Sequence, residues 1–557
     1  MSEVEHRPTP WKPGQDTKIP GSSRLRPGWL ETAWWARLER AWWPALIGTM
    51  VVFSIFPLAN MLLGLSTKDY WLWYQVGRAV RQGLDIYPRP ESGRLFPFMY
   101  PPSAAAMLGL VSLLGPTGTL IALVLVNSAS WLVCILLSAW LAAGPGKPRH
   151  PLVVIVPSLS VIVLIHNIYL LGQPNLMLLA LVLGAFVCIR LGREISAGTL
   201  VATAAAIKAF PLLILGYLVY RRMWRATAAT VTVLAAWLLV APLPFRTPAQ
   251  AVDDVVVWAR GMLFTYNTHG IAQRPLRSYS YKNQSIMAVM HRLLRDVPAD
   301  GESVLSRRAR LAETGPRLST ALDPATDLLS FLKPHQRAPK ATRAGAVAVG
   351  GAGATPGPTD DGAGTTEPAP RWDEAVQGAE PALRAAWRVN VLDLDFRTVT
   401  AMILAAMLGL CLFVAAVMPA RRCRTRETDA LEFALVILLT VIFSPLSFNY
   451  AYVWLLYPVT LALHRVLSEP AETPRHRLKV AWLAAVLLIP ALAIPMPQVA
   501  QACGNLFVPA LLLVFGLGAM LKAAGRRRPE QAETSPVHHP HLDHRVARPE
   551  TAVSGGW

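Results

Sequence analysis

The sequence predicts an all-α protein that crosses a membrane many times. Of its 557 residues, 53% are hydrophobic and only 16% are charged, whereas a soluble domain carries roughly 25% charged residues. The apolar residues also form uninterrupted blocks, such as FALVILLTVIF at 433–443. About 20 apolar residues suffice to span a bilayer as a helix, so both observations indicate a polytopic membrane protein.

The candidate spans number about twelve. They cover residues 44–64, 100–116, 118–142, 152–171, 175–192, 197–220, 226–244, 397–419, 430–446, 448–466, 479–496 and 503–523. If the N-terminus is cytoplasmic, the basic loops at 146–150 and 190–194 fall on the outer side, against the rule that Lys and Arg concentrate in cytoplasmic loops. A re-entrant segment would explain this, and the topology of residues 100–225 stays open.

The net charge of +19 is explained by where the basic residues lie. They form short clusters at the ends of apolar runs: RRMWR (221–225), RRCRTR (421–426), HRLK (476–479) and GRRR (525–528). All four fall on the cytoplasmic side if the N-terminus is inside, as the charge rule requires. A nucleic-acid surface would need a continuous basic face on a folded domain, so we predict no nucleic-acid partner.

The chain divides into five regions. They are a cytoplasmic tail (1–43), a first part of the membrane core (44–295) with an outer loop at 65–99, an outer insertion (296–388), a second part of the core (389–525) and a disordered cytoplasmic tail (526–557). Within the insertion, residues 333–372 are rich in Ala, Gly, Pro and Thr. Such a composition cannot bury enough apolar surface to offset its ordering entropy, so we predict that the insertion is partly disordered.

The five cysteines show no CxxC or other metal-ligand spacing. Neither a disulfide framework nor a metal framework is therefore supported. We expect no metal and no other cofactor.

The first outer loop contains KDYWLWYQVGRAVRQGLDIYP, residues 68–88. The spacing predicts a helix over 69–82 that Gly83 ends as a C′ glycine. One face of this helix carries Tyr70, Trp73, Tyr74 and Gly77, and Arg78 and Arg81 lie on another side. This pattern is typical of a helix in the plane of the membrane interface, with its rings at headgroup depth. An aromatic belt that only anchors the loop is the alternative.

Two acids in this loop, Asp69 and Asp85, need an explanation. A carboxylate at the membrane boundary loses solvation and requires a partner or a task. Asp69 lies at the predicted helix start, so capping and catalysis are both open for it. Asp85 could instead be a turn residue before Tyr87 and Pro88. The two acids could hold Mg²⁺ through waters, but no DxD triplet occurs and we favour a metal-independent site.

Further polar groups recur at the edges of apolar runs. They lie in FPFMYPPS (96–103), HNIYLLGQPN (166–175), YSYKNQSIM (279–287) and FSPLSFNYAYVWLLYP (443–458), and at Lys208. A Lys in apolar surroundings is costly unless it meets an anion. Their recurrence at many span edges indicates one shared cavity.

Taken in order, these motifs resemble those of glycosyltransferase family 87, also called DUF2029, which includes polyprenol-phosphate-mannose-dependent mannosyltransferases. The matching residues are Asp69, Gly83, Asp85, Tyr87, Tyr100, Pro101, Pro102, Gly172, Gln173, Asn175, Lys208, Pro211, Asn283, Gln284, Ser285, Ser444, Pro445 and Ser447. The resemblance implies a GT-C-type bundle with large outer loops. It also implies a catalytic carboxylate in the first outer loop and a sugar donor carried on polyprenyl phosphate.

The resemblance makes Asp69 the leading catalytic base. The remaining candidates would bind substrate: Asp85, Tyr87, Tyr100, Gln173, Asn175, Lys208, Arg274, Arg277, Lys282, Asn283, Gln284 and Asn449. Among them, Arg274, Arg277 and Lys282 are expected to hold the phosphate, with Lys208 and Arg78 as further cations. One departure matters: after SPLS the family often carries Trp and a His pair, where this chain has Phe448, Asn449 and Tyr450. Mannose specificity therefore does not carry over.

The expected reaction is inverting transfer of a hexose from a polyprenyl-phosphate donor to a lipid or glycan acceptor. The resemblance sets it on the periplasmic or other extracytoplasmic face of the plasma (inner) membrane, among membrane lipids. The phosphate leaves as an anion, so one base with nearby cations suffices, unlike glycoside hydrolysis, which needs a second carboxyl group. A transporter or flippase of a glycolipid or polyprenyl-linked substrate is the rival class, because a buried Lys and Pro-broken spans also suit a substrate path. A structural scaffold is a third.

Overall fold

The computed structural model describes residues 33–89, 98–146, 150–271, 274–305, 376–470, 473–491 and 496–533. Helices make up almost all of the regular structure there. Strands β1 (Tyr266–Asn267) and β2 (Gly270–Ile271) form one short antiparallel hairpin. The predicted all-α class is confirmed. The predicted disorder of residues 333–372, and most of both predicted tails, lie outside the described residues.

The first part of the core ends before the predicted insertion. It contains α1 (Ala33–Leu62), α2 (Asp69–Arg81), α3 (Pro102–Val111), α4 (Gly115–Ala143), α5 (Leu152–Ser160), α6 (Ile162–Leu171), α7 (Asn175–Arg190), α8 (Glu194–Ile207), a 3₁₀ turn (Phe210–Leu213), α9 (Ile214–Tyr220), α10 (Trp224–Ala235) with a π-helical end (Ala236–Val240), α11 (Pro248–Trp258) and α12 (Ile286–Leu294).

The described chain resumes at residue 376, inside the predicted insertion, and continues into the second part of the core. It contains α13 (Glu380–Arg384), α14 (Phe396–Val417), α15 (Arg426–Phe443), a 3₁₀ helix (Asn449–Leu455), α16 (Leu456–Leu467), α17 (Pro474–Leu488), α18 (Pro497–Ala502) and α19 (Phe507–Glu533). The last helix continues past residue 525, where the core was predicted to end.

Four helical segments of the described chain are long and apolar enough to cross a membrane: Trp34–Leu62, Pro102–Ala143, Phe396–Val417 and Phe507–Arg526. A fifth is the pair of α5 and α6, which meet at a bend of 54°. Several other apolar helices are shorter, such as α7 with 16 residues and α8 with 14. An all-α membrane protein is thus confirmed, while the count of about twelve spans stays a prediction.

The structure revises two of the predicted spans. The span at 197–220 is broken, because α8 ends at Ile207 and Lys208 adopts an extended backbone before the 3₁₀ turn. The span at 100–116 is only the ten-residue α3 and a 3₁₀ turn, and it packs along α2. Gly115, with φ of 73°, separates it from α4.

The structure answers a question that the sequence leaves open, namely on which side residues 190–194 lie relative to residues 421–426. Arg190 at the end of α7 donates hydrogen bonds to the carbonyls of Leu141 (2.7 Å) and Arg426 (2.6 Å). Arg421 donates to the carbonyl of Arg221. The clusters at 190–194, 221–225 and 421–426 therefore share one end of the helix bundle, and the expected conflict with the charge rule came from the span assignment.

The predicted helix of the first outer loop is confirmed as α2, and Gly83 follows it with φ of 71°. Two rings of its aromatic face are packed inside the protein. Tyr70 and Trp73 are buried, and they donate to the carbonyls of Tyr169 and Gly172, both at 2.8 Å. A buried Tyr or Trp needs a partner for its polar atom, and the end of α6 supplies it.

The core is centred on α15, whose residues from Thr428 to Val441 are almost all buried. Phe433 of this helix stacks on Phe186 of α7, with ring centroids 4.3 Å apart. Toward the basic end, Glu432 is fully buried against Arg221 and accepts a 3.0 Å hydrogen bond from Tyr217. The opposite ends of the same helices surround a cavity.

Candidate active site

The cavity has a volume of about 910 Å³. It lies between the start of α2, the α6–α7 turn, the break after α8 and the segments 258–277 and 443–450. One part of its wall is polar, with Asp69, Tyr100, Gln173, Lys208, Arg274 and Arg277. The other part is apolar, and it includes Leu65, Leu213 and Leu263, which are also exposed on the protein surface.

Asp69 is half-buried in the polar part of this wall. It is the first residue of α2; the preceding Lys68 occupies the N-cap position with φ of 54°, and no side chain caps the helix. The capping explanation for Asp69 is therefore wrong. Its carboxylate instead accepts a hydrogen bond from the side-chain amide of Gln173.

A chain of hydrogen bonds fixes Gln173. The hydroxyl of Tyr100 donates to Gln173 Oε1 at 2.9 Å, and the hydroxyl of Tyr87 donates to the carbonyl of Tyr100 at 2.5 Å. Gly172, with φ of 73°, ends α6 and turns the chain so that Gln173 faces Asp69. Tyr87, Tyr100 and Gln173 thus orient the carboxylate of Asp69. Tyr100 and Gln173 also line the cavity.

Burial and nearby positive charge have opposite effects on the pKa of Asp69. Burial raises the pKa of this carboxyl above its usual value, because desolvation disfavours the charged form. Arg277, Arg274, the Gln173 hydrogen bond and Lys208 each oppose that rise. The result is a carboxylate with a raised pKa that faces three cations, a typical arrangement for a general base.

Lys208 follows α8 at the break in the chain and points among three rings. Its ammonium lies 5.4 Å from the centroids of Tyr100 and Tyr450 and 5.8 Å from that of Phe210. Asn175 accepts a long contact of 3.5 Å from it. Cation–π contacts keep the charge partly compensated while leaving it able to meet an anion in the cavity.

Arg274 and Arg277 share one acidic partner, Glu302. Its Oε1 lies 2.5 Å from Nη1 of Arg277 and 3.9 Å from Nη2 of Arg274. Burial, and repulsion from Arg277, lower the pKa of Arg274 to about 10, which Glu302 opposes. Both arginines remain charged at neutral pH and line the cavity opposite Asp69.

Eight predicted site residues do not line the cavity: Tyr87, Asn175, Asn283, Gln284, Asp85, Arg78, Lys282 and Asn449. Asp85 is exposed beyond the far end of α2. The 13 residues of α2 separate it from Asp69 by roughly 20 Å. The structure therefore does not bring these two acids together as the pair of ligands considered for Mg²⁺. Lys282 is exposed, and its ammonium lies 5.5 Å from the centroid of the Tyr281 ring. The side-chain oxygen of Asn449 accepts a 2.8 Å hydrogen bond from the backbone amide of Tyr450.

Asn283 and Gln284 are buried and support the cavity from behind. Asn283 Nδ2 donates to the carbonyls of Ser278 and Pro445, both at 2.8 Å. The backbone amide of Gln284 donates to the carbonyl of Ser447 at 2.7 Å. The NQS and SPLS segments therefore hold each other in place, and neither amide side chain lines the cavity.

The sequence did not point to Glu302, which contacts the two arginines. It also did not point to the rings of Trp71 and Trp258, which line the cavity. Glu302 lay in the predicted insertion and outside every recognised motif, so no local signal pointed to it. The two Trp residues are ordinary for the edge of a membrane span. Only their position in three dimensions distinguishes them.

The model of glycosyltransferase family 87 matches residues 98–311. This match confirms the resemblance based on the motifs, and it covers Tyr100, Gln173, Lys208 and both arginines, whereas Asp69 precedes it. No curated protein and no solved structure matches the chain. Together with the apolar helices, the family match indicates a membrane glycosyltransferase.

Proposed function

We propose, from the family match and the cavity together, that the protein is a hexosyltransferase of the GT-C type. It moves mannose or another hexose from a polyprenyl-phosphate donor to a lipid or glycan acceptor on the extracytoplasmic face of the plasma membrane. The observation that carries this proposal is which residues line one cavity. The carboxylate of Asp69 lies in it together with Lys208, Arg274 and Arg277, and an apolar wall beside them reaches the protein surface.

The reaction follows from these groups. An acceptor hydroxyl oxygen bonds to the anomeric carbon while the bond from that carbon to the phosphate oxygen breaks, and the configuration inverts. The hydroxyl proton passes to Asp69, and the bonding electrons leave with the phosphate, whose added charge the three cations stabilise. General-base catalysis accounts for roughly 10²–10⁴-fold of the rate, and the fixed positions of donor and acceptor account for more.

The apolar part of the wall suits the hydrocarbon chain of the donor. Leu65, Leu213 and Leu263 line the cavity and are exposed on the protein surface, and we expect lipid to cover this apolar surface. A polyprenyl chain can therefore stay in the membrane while its phosphate reaches the cations.

Asp69→Asn tests the proposal. Purified protein in proteoliposomes made with a lipid extract of the producing cells receives a polyprenyl-phosphate hexose with a labelled sugar. We expect Asp69→Asn to lower transfer by roughly 10²–10⁴-fold. The matched control is Asp253→Asn, which removes an exposed carboxylate of α11 whose ion pair with Arg89 contributes little.

Two results would overturn the proposal. Near-wild-type transfer by Asp69→Asn would remove the base, and movement of the labelled donor across the bilayer without a new glycosidic bond would identify a carrier instead.

A further inference from the structure

Glu302 contacts both cavity arginines but does not itself line the cavity. Its carboxylate is therefore next to the guanidinium groups but outside the cavity wall. About a quarter of each of these three side chains is exposed. Glu302 cannot be assigned to substrate binding, and neither the motifs nor the reaction above give it a task.

The turn that carries the two arginines, residues 274–277, is held in place by contacts that do not involve Glu302. Leu276, between the two arginines, has a φ of 62°, and its buried side chain packs with Tyr279 and Val297. Ser278 Oγ accepts a 3.1 Å hydrogen bond from the amide of Ile271 in β2. The guanidinium of Arg277 also lies 5.0 Å from the centroid of the Phe448 ring. Removal of the Glu302 charge should therefore change the electrostatics of the site more than its geometry.

The positive charge around the cavity is only partly compensated before any ligand binds. Four cations, Lys68, Lys208, Arg274 and Arg277, stand against two carboxylates, Asp69 and Glu302. An entering phosphate monoester is attracted by the cations and repelled by both acids. Since Asp69 is reserved for the acceptor proton, Glu302 is the acid that can set how tightly the phosphate is held.

We propose that Glu302 is the resting counter-charge of Arg274 and Arg277 and weakens the binding of a phosphate monoester, so that the phosphate product leaves after transfer. It acts through the charge of the two arginines and does not touch the reacting atoms, so it is not a catalytic residue. This inference rests on the proposed function, because it takes the lipid phosphate to be the leaving group.

Glu302→Gln tests it by binding and by kinetics. The probe is farnesyl phosphate, a short isoprenyl monophosphate, titrated against purified protein in detergent at low salt. Repulsion between two charges about 8 Å apart predicts a Kd roughly three- to thirtyfold lower in Glu302→Gln than in the wild type. Because tighter product binding slows release, KM and kcat for sugar transfer should fall together.

The controls separate charge from shape and lipid from phosphate. Glu302→Asp keeps the charge but withdraws it by one methylene, so its Kd should lie between those of the wild type and Glu302→Gln. Farnesol, which lacks the phosphate, should bind all three proteins equally. Inorganic phosphate should show the same order of Kd values if the phosphate alone is recognised, and no binding if the lipid chain is also required. Glu380→Gln, which removes an exposed acid paired with Arg384 in α13, should behave as the wild type.

An unchanged or higher Kd in a folded Glu302→Gln would overturn the proposal, since it would mean that Glu302 only holds the arginines in place. If Glu302→Gln does not fold, a Glu302→Asp variant with a wild-type or higher Kd would do the same. Failure of the proposed function looks different: no sugar transfer would occur in any variant, while the order of Kd values would still decide the role of Glu302.

Discussion

Asp69 faces Lys208, Arg274 and Arg277, yet none of the ion pairs within the described residues includes it. Its close polar contact is the amide of Gln173. A carboxylate that was locked in a short ion pair would be a weaker base, because its ionised form would be held too firmly. The arrangement instead leaves a carboxylate oxygen for the acceptor hydroxyl and lets burial raise the pKa.

The pH dependence of transfer should report this balance. Since a base must be ionised, kcat/KM should fall as the pH falls through the raised pKa of Asp69. Gln173→Leu removes a hydrogen bond to the ionised form, so the acid limb should move to higher pH, by roughly one to two units if that bond is worth 1.5–3 kcal/mol. Tyr100→Phe releases Gln173 and should move it less, in the same direction.

Tyr169→Phe is the control for that series. Its hydroxyl bonds Ser128 in α4 and does not reach the Asp69 chain, so the acid limb should stay where the wild type has it. An acid limb that Gln173→Leu leaves unmoved, or moves to lower pH, would show that Asp69 does not set the pH profile.

At the scale of the elements, α2 holds Asp69 at the cavity by fitting tightly against its neighbours. Tyr70 and Trp73 bond the end of α6. On another side Gly77 meets α3 so closely that a Cβ there would lie 2.2 Å from the carbonyl oxygen of Leu108. The helix therefore cannot shift without disturbing the acid at its first residue.

Gly77→Ala should consequently impair both stability and activity. Overpacking typically costs about 1–3 kcal/mol, so we expect a Tm lower by several degrees and transfer reduced by at least about tenfold. Gly409→Ala in α14, where nothing lies within 4 Å of the added Cβ, should leave both nearly unchanged. Thermal unfolding in detergent and the transfer assay measure the two effects, and equal behaviour of the two variants would contradict this account of α2.

Local patterns predicted the existence and bounds of α2, because period and a terminal glycine are written in the residues themselves. They could not predict what its rings touch, since the end of α6 is about a hundred residues away along the chain. The extended backbone at Lys208 likewise interrupts an unbroken apolar run. Glu302 was assigned to an insertion by the composition that follows it, although residues 297 and 304–305 pack on Leu276. Each miss is a tertiary contact that local composition does not encode.

At the scale of the whole molecule, the same helices have the cavity at one end and the arginine clusters at the other. Gln173 precedes α7 and Arg190 ends it; Ser444 follows α15 and Arg426 begins it. These helices of 16 and 18 residues are about 24 and 27 Å long, which approaches the thickness of a bilayer core. By the charge rule we propose that the end with the arginine clusters faces the cytoplasm and that the cavity faces the opposite side.

Cysteine labelling tests that orientation. In a variant whose five native cysteines are replaced by alanine, Lys282→Cys and Arg475→Cys each provide one exposed thiol, the first just before α12 and the second at the start of α17. In right-side-out membrane vesicles a membrane-impermeant maleimide should label Lys282→Cys at once, and Arg475→Cys only after permeabilisation, because the bilayer separates the two positions. Asp85→Cys, also exposed, should behave like Lys282→Cys. The reverse pattern would place the cavity on the cytosolic side, where transfer on the extracytoplasmic face is impossible.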